Sequence, residues 1–204
     1  MVRKNKTVHG WGVNDVDYPV QRKATPKWVC PYYEDWKGMI QRCFDKKFQD
    51  RNPAYKDCTV YDEWKYLSNF IKWVDSQPNR GWIHCSLDKD LLSSGNKYYH
   101  PETCVYIPLT LNNFINVYGE GRGQLMLGVS KVMSPVSPSK SQCCDPFKIR
   151  RDYLGVFKTE IEAHKAWQQR KHEYACQLAA LQQDIRVVDV LQRRYAPDKD
   201  WSNV

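Results

Sequence analysis

No stretch of this chain approaches the roughly twenty consecutive apolar residues that a membrane-spanning helix needs. Met1-Val2-Arg3-Lys4 leads straight into polar residues, so no secretory signal peptide is expected. Glycine is scarce, at 10 of 204 residues, and no segment repeats, which argues against fibrous, low-complexity and solenoid architectures. The 8 cysteines include no pair at the two-to-four-residue spacing of structural zinc ligands. Without a secretory context they read as reduced, mostly buried thiols in a cytosol. Acidic residues are also in deficit, 23 against 31 basic ones, for a net charge of +8.

That excess is unevenly placed. Residues 1–27 hold 6 basic and 2 acidic side chains, residues 28–118 hold 11 of each, and residues 119–204 hold 14 basic and 10 acidic. A neutral body between two basic segments suits a phosphate backbone better than an acidic small molecule. The plainer alternative is surface charge kept for solubility. With 42% apolar and 26% charged residues the chain is globular and long enough for a real core.

Periodicity and turn chemistry place the elements. Residues 12–20 combine turn residues with aromatic anchors and read as an arm packed over the body, and residues 23–27, with Pro26, read as a linker. A first helix is predicted over residues 33–44, with Trp36, Met39, Ile40 and Cys43 on one face. A second is predicted over residues 62–73, with Trp64, Leu67, Phe70, Ile71 and Trp73 as its apolar side. Residues 86–108 read as strand, turn, short strand and a proline-started helical turn, and residues 109–117 as a short third helix.

The last third is the most legible. A short apolar run ending in Gly128-Val129 precedes a Ser/Pro-rich loop, then Cys143 to Arg151, then Tyr153-Leu154-Gly155-Val156-Phe157. Thr159 and Glu162 have capping-box spacing, a hydroxyl for the N3 amide and a carboxylate for the cap amide. Beyond them Ala163, Ala166, Trp167, Arg170, Tyr174, Leu178 and Leu181 follow three- and four-residue steps, one stripe of a long helix. Three strands on one helix leave the other sheet face open and basic. A further helix through Ile185, Val188 and Leu191 ends before Pro197.

Residues 87–112 resemble the ββα-metal core of HNH nucleases, as found in phage-encoded homing endonucleases. The resemblance rests on Asn96, on Pro101-Glu102-x-Cys104 and on Asn112 or Asn113. In that family a strand carries a histidine general base beside a metal ligand, and one divalent ion holds the scissile phosphate. By position the catalytic candidates here are Asp88, Lys89, Asn96 and Thr103, with Asp88 and Asp90 as oxygen ligands for Mg²⁺. The expected histidine pair is replaced by Asp88-Lys89, and Thr103 stands where a helix ligand belongs, so the catalytic set reads as degenerate. A Cys104–His100 nucleophile pair has no orienting partner.

Residues 122–178 resemble the DNA-binding domain of plant ethylene-response factors, which recurs in phage HNH homing endonucleases. The matching residues are Gly128-Val129, Tyr153 to Phe157, Thr159, Glu162-Ala163 and Ala166-Trp167. The Ser/Pro-rich insertion and Cys143-Cys144 stand where that family has a tight hairpin. The resemblance implies a sheet lying in the major groove, with Arg122, Lys131, Lys148, Arg150 and Arg151 as the contacts. Arg3, Lys4 and Lys6 would add phosphate contacts from the N-terminal arm. Trp11, Tyr98 and Tyr99 are further candidates for stacking on bases.

The sequence therefore predicts an α+β chain: a basic arm (1–27), a helical body with an HNH-like ββα core (28–118), a three-stranded antiparallel sheet packed on one long helix (119–181), and a C-terminal helix and tail (182–204). The function expected is phage-encoded nucleic-acid binding in the cytoplasm of an infected host, to DNA first and structured RNA or the ribosome second. The alternatives are an active Mg²⁺-dependent HNH endonuclease and a binder of a host protein. No membrane partner and no other cofactor are expected.

Overall fold

The computed structural model describes residues 7–23, 25–78, 84–116, 125–133, 135–148 and 150–199. The chain is mixed α and β, and its contacts group into two units, residues 1–108 and 109–204. Among the described residues no helix is long and apolar enough to cross a membrane.

The first unit begins with the arm, which packs through backbone bonds. Gly12 is buried, and a Cβ there would lie 2.4 Å from Ile40 and 2.7 Å from Trp36, so only glycine lets the chain pass so close. Val13 N–H donates to Lys65 O (2.8 Å) and Leu67 N–H donates to Val13 O (3.1 Å). The segment predicted as a linker, of which residue 24 lies outside the described residues, is flanked by β1 (Gln21–Arg22) and β2 (Trp28–Val29), which pair antiparallel as a hairpin. Pro31, at the first helical turn where its missing N–H matters least, starts α1 (Pro31–Phe44). The short α2 (Lys46–Arg51), which the sequence pattern does not announce, is capped by the Asp45 carboxylate on Phe48 N (3.1 Å).

The helix predicted over residues 62–73 is broken. A 3-10 turn, Asp62–Lys65, precedes β-region backbone at Tyr66, and α3 runs from Leu67 to Asp75. The arm causes the break by bonding to Lys65 and Leu67, while Asp15 accepts from Ser68 N (2.9 Å) at the start of α3. Trp36, Met39 and Ile40 of α1 meet Leu67, Phe70 and Val74 of α3 around Trp64, all essentially inaccessible to water. The indole of Trp36 donates to Trp64 O (2.7 Å). Burial pushes the Cys43 and Cys104 thiols in this core up to about 12.

Two small pairings follow. β3 (Thr59–Val60) runs parallel to β5 (Tyr98–Tyr99), and β4 (Cys85–Asp88) is antiparallel to β6 (Val105–Pro108). The partner of β4 is thus residues 105–108, and the predicted proline-started turn is confined to residues 101–103, closed by Cys104 N–H donating to His100 O (2.9 Å). Tyr98–Tyr99 pairs elsewhere because Asn96 and Thr103 hold its carbonyl.

The second unit opens with α4 (Leu109–Ile115). Its sheet has the order β7 (Val129–Lys131), β8 (Ser139–Asp145), β9 (Arg150–Phe157), antiparallel throughout. α5 (Glu160–Ala179) packs on this sheet and on α6 (Ile185–Arg194). The capping box is present in full, with Glu162 N donating to Thr159 Oγ1 and Thr159 N to the Glu162 carboxylate, both at 3.2 Å. Ala163, Trp167, Tyr174 and Leu178 are buried as the stripe requires, joined by Ala175, Ala179, Val187, Leu191 and Tyr195. Leu181 and Ile185 are instead 67% and 68% exposed, because α5 ends at Ala179 and α6 restarts from an Asp184 cap. All eight cysteines are free thiols.

Candidate nucleic-acid interface

Two places gather the predicted site residues. The first is the turn after β4. Asp88 Oδ1 accepts from the Asp90 and Leu91 amides (2.8 and 2.6 Å), closing the turn as an aspartate commonly does. Lys89 is buried, its ammonium 2.7 Å from both oxygens of Asp90 and 2.6 Å from Asn96 O. The Asn96 amide donates to the carbonyls of Lys89 (2.9 Å) and Tyr98 (2.8 Å) and accepts from Tyr98 N (2.9 Å). Thr103 Oγ1 donates to Tyr98 O (3.0 Å). Burial raises the Asp88 carboxyl above its ordinary range, against the two amide bonds that favour its charged form.

Asp88, Lys89, Asp90, Asn96 and Thr103 are therefore brought together, and their polar atoms are turned on one another and on the local backbone. The Lys89 ammonium is paired with the Asp90 carboxylate. Among the described residues no three His, Cys, Asp or Glu side chains are grouped to hold a metal. Tyr99 is 2% exposed and offers no face to a base, while Trp11 is half-buried with one face stacked on Phe44, ring centroids 4.7 Å apart. Tyr98 is 40% exposed and leans on His100.

The second place is the three-stranded sheet. Directly paired residues of antiparallel strands share a face, so the register sorts the side chains. Ser139, Ser141, Cys143 and Asp145 of β8 are buried on the α5 side. The opposite face carries Ser130, Lys140, Gln142 and Cys144 with their β9 partners Val156, Tyr153 and Arg151. A β-bulge between Ser141 and Gln142 leaves Leu154 unpaired, which keeps both Tyr153 and Val156 on this open face. The Lys140 ammonium lies 5.5 Å from the centre of the Tyr153 ring, itself 61% exposed.

The two adjacent arginines diverge. Arg151 pairs with exposed Cys144 on the open face, whereas Arg150 pairs with Asp145 on the other. Arg150 Nε lies 3.8 Å from Asp152 Oδ1, and Asp152 also accepts from the Tyr174 hydroxyl. Both acids of these strands, Asp145 and Asp152, thus face away from the open surface. No relative stands in for this geometry: neither a family model, nor a curated protein, nor a solved structure matches the chain.

An open cavity of about 400 Å³ adjoins this end of the sheet, bordered by Thr110 and Asn113 of α4 and by Cys144, Arg150 and Arg151. Lys131 is exposed at the β7 edge in register with buried Ser139, and Lys148 is exposed in the β8–β9 turn. Of the predicted contacts, only Arg151 therefore lies on the open face itself. Arg3, Lys4, Lys6 and Arg122 fall outside the described residues. The residues that sequence reasoning missed are Lys140 and Tyr153. Alternation onward from Arg151 points to Tyr153, but Lys140 requires the β8 register, and β8 begins at Ser139, the last residue of the predicted Ser/Pro loop.

Proposed function

We propose that this chain is a nucleic-acid-binding protein of the phage HNH-like kind, with a body that does not cleave and a C-terminal sheet that binds. The observation that carries the reading is the open face of β7–β9. It presents Lys140 and Arg151 beside the exposed Tyr153 ring and no carboxylate, and a face of that charge attracts a phosphate backbone. Duplex DNA is the first expected ligand and structured RNA the second, with the basic arm adding phosphate contacts. In the order β4, β5, β6, α4 the antiparallel pair β4–β6 comes before a helix, which is compatible with the strand–strand–helix order of the HNH scaffold. Cleavage is not expected, since Lys89 and Asn96 are consumed in closing the turn and no imidazole stands beside Asp88.

Arginine replacement tests the binding reading. Arg151→Ala should weaken binding at least several-fold more than Arg150→Ala, whose side chain already neighbours Asp152. A base-directed arginine would add discrimination of roughly 1–3 kcal/mol between sequences. Two variants that bind every duplex and RNA as the parent does would remove the sheet face from the interface. For the body, plasmid nicking with Mg²⁺ or Mn²⁺ is expected to be nil. Metal-dependent nicking that disappears in Asp88→Ala would restore the nuclease reading.

A further inference from the structure

The β1–β2 hairpin of the first unit is an exposed feature separate from the open sheet face and from Arg3, Lys4 and Lys6. Its base is fixed in the core: Val20 and Cys30 are 7% and 5% exposed, and Cys30 N–H donates to Val20 O (2.8 Å). From this anchored pair the strands run outward through Gln21↔Val29 and then Arg22↔Trp28. Gln21, Arg22, Lys23, Thr25, Pro26, Lys27 and Trp28 are all exposed.

Lone exposed aromatics are common and by themselves mean little. This one differs in its company. Trp28 is 42% exposed and the Arg22 guanidinium lies 5.6 Å from the centre of its ring, so cation and indole form one unit on one face of the hairpin. Lys23 and Lys27 flank that unit, and residues 20–30 contain no acidic side chain at all. Cations that can follow phosphates, beside an aromatic plane on a rigid stem, are what unpaired nucleotides require. Stacking needs only the π-face that every base has, and that face is accessible only outside a duplex. A membrane surface would call for a broader apolar tip than one indole.

Resting on the nucleic-acid reading, we infer that the hairpin is a second binding site, in which Trp28 stacks on an unpaired base while Arg22, Lys23 and Lys27 hold the adjoining phosphates. The ligand class is single-stranded nucleic acid, at a junction, bulge or loop, in DNA or RNA. The site is separate from the open sheet face, for which a duplex is the first ligand proposed.

The test uses the full-length chain with three fluorescein-labelled probes: a 20-nucleotide single-stranded DNA, the same sequence as RNA, and the corresponding DNA duplex. Trp28→Ala should lower single-strand affinity by roughly five- to a hundred-fold and leave duplex affinity within about two-fold. Trp28→Phe should recover most of the loss. Replacing Arg22, Lys23 and Lys27 together by glutamine should lower the salt slope for the single strand by about two units. With 5-fluorotryptophan incorporated, the ¹⁹F resonance that is missing in Trp28→Phe should move on adding the single strand. Should the parent bind single strands while all three variants match it and the resonance stays still, the hairpin is not the site. Equal losses on duplex and single strand would overturn stacking as its role. A copurifying protein lost in Trp28→Ala, with nucleic-acid binding intact, would assign the hairpin to a protein partner instead. If the parent binds none of the probes, the nucleic-acid function itself falls, a result distinguishable from all the others.

Discussion

Gly128→Ala isolates the packing that holds the C-terminal sheet to its helix. Gly128 has φ +76°, and a Cβ there would lie 2.0 Å from Trp167 Cγ and 2.1 Å from its Cδ1. Trp167 has little room to retreat: it is 6% exposed, stacked on His164 at 5.4 Å and edge-on to Tyr195 at 6.1 Å. The segment is fixed from the other side as well, since Gln142 N–H donates to Gly128 O (3.0 Å) and Leu127 O meets His164 Nδ1 (2.9 Å). A left-handed backbone costs an alanine about 1–2 kcal/mol, and overpacking a filled core adds about 1–3 kcal/mol. The stiffer unfolded chain returns about 0.4–1 kcal/mol. The net expectation is a loss of about 1–4.5 kcal/mol, a large part of the stability of a small domain. Gly95 is the control, at φ +73° with nothing within 4 Å of an added Cβ. Gly95→Ala bears the backbone term alone, so its net loss is about 1 kcal/mol or less. Urea unfolding followed by circular dichroism measures both. In a Trp167→Ala background the Gly128→Ala loss should shrink to the Gly95→Ala value, a coupling of about 1–3 kcal/mol. Equal losses at Gly128 and Gly95, or a penalty that persists without Trp167, would refute the argument.

Three further outcomes are expected. Thr159→Ala removes one half of the capping box and should destabilise the protein by about 1 kcal/mol, read as a shift of the urea midpoint. Lys171 is buried on α5 with its ammonium on Phe114 O and 3.6 Å from the centre of the Phe114 ring, and burial pushes its pKa down from 10.5 to about 8. Between those values the unfolded chain binds more protons than the folded one, so this group's contribution to stability rises with pH from about 8 upward and is constant below. Buried thiols pushed up to about 12, Cys143 among them, act in the opposite sense above their ordinary 9. The stability difference between wild type and Lys171→Met, measured at pH 7 and pH 10, should therefore shift toward wild type at the higher pH; a flat difference would refute it. Deleting residues 1–6 removes Arg3, Lys4 and Lys6 and should lower the salt slope of duplex binding by about two to three units. An unchanged slope would show that this segment does not touch phosphate.

The elements legible in the sequence were those whose signals are local. Thr159 and Glu162 announce the start of α5, because a capping box is completed within four residues. The buried stripe from Ala163 to Leu178 and the apolar face of α1 follow from helical period alone, and the three strands ahead of the long helix follow from short runs separated by loop residues. The absence of the expected histidines at Asp88-Lys89 was equally plain. Pairing over long distances decided the rest. The break at Tyr66 comes from Val13, more than fifty residues upstream, and nothing within residues 62–73 encodes it. Residues 23–27 read as a linker because two-residue strands carry no periodicity, and only the anchoring of Val20 and Cys30 turns them into a hairpin. Alternation showed that Arg150 and Arg151 must diverge. Which of them faces outward depended on the β8 register and on which face α5 covers, and both are properties of the packed sheet. Lys140 joins Tyr153 for the same reason: Tyr153 pairs with Gln142, and alternation along β8 puts Lys140 on the same surface.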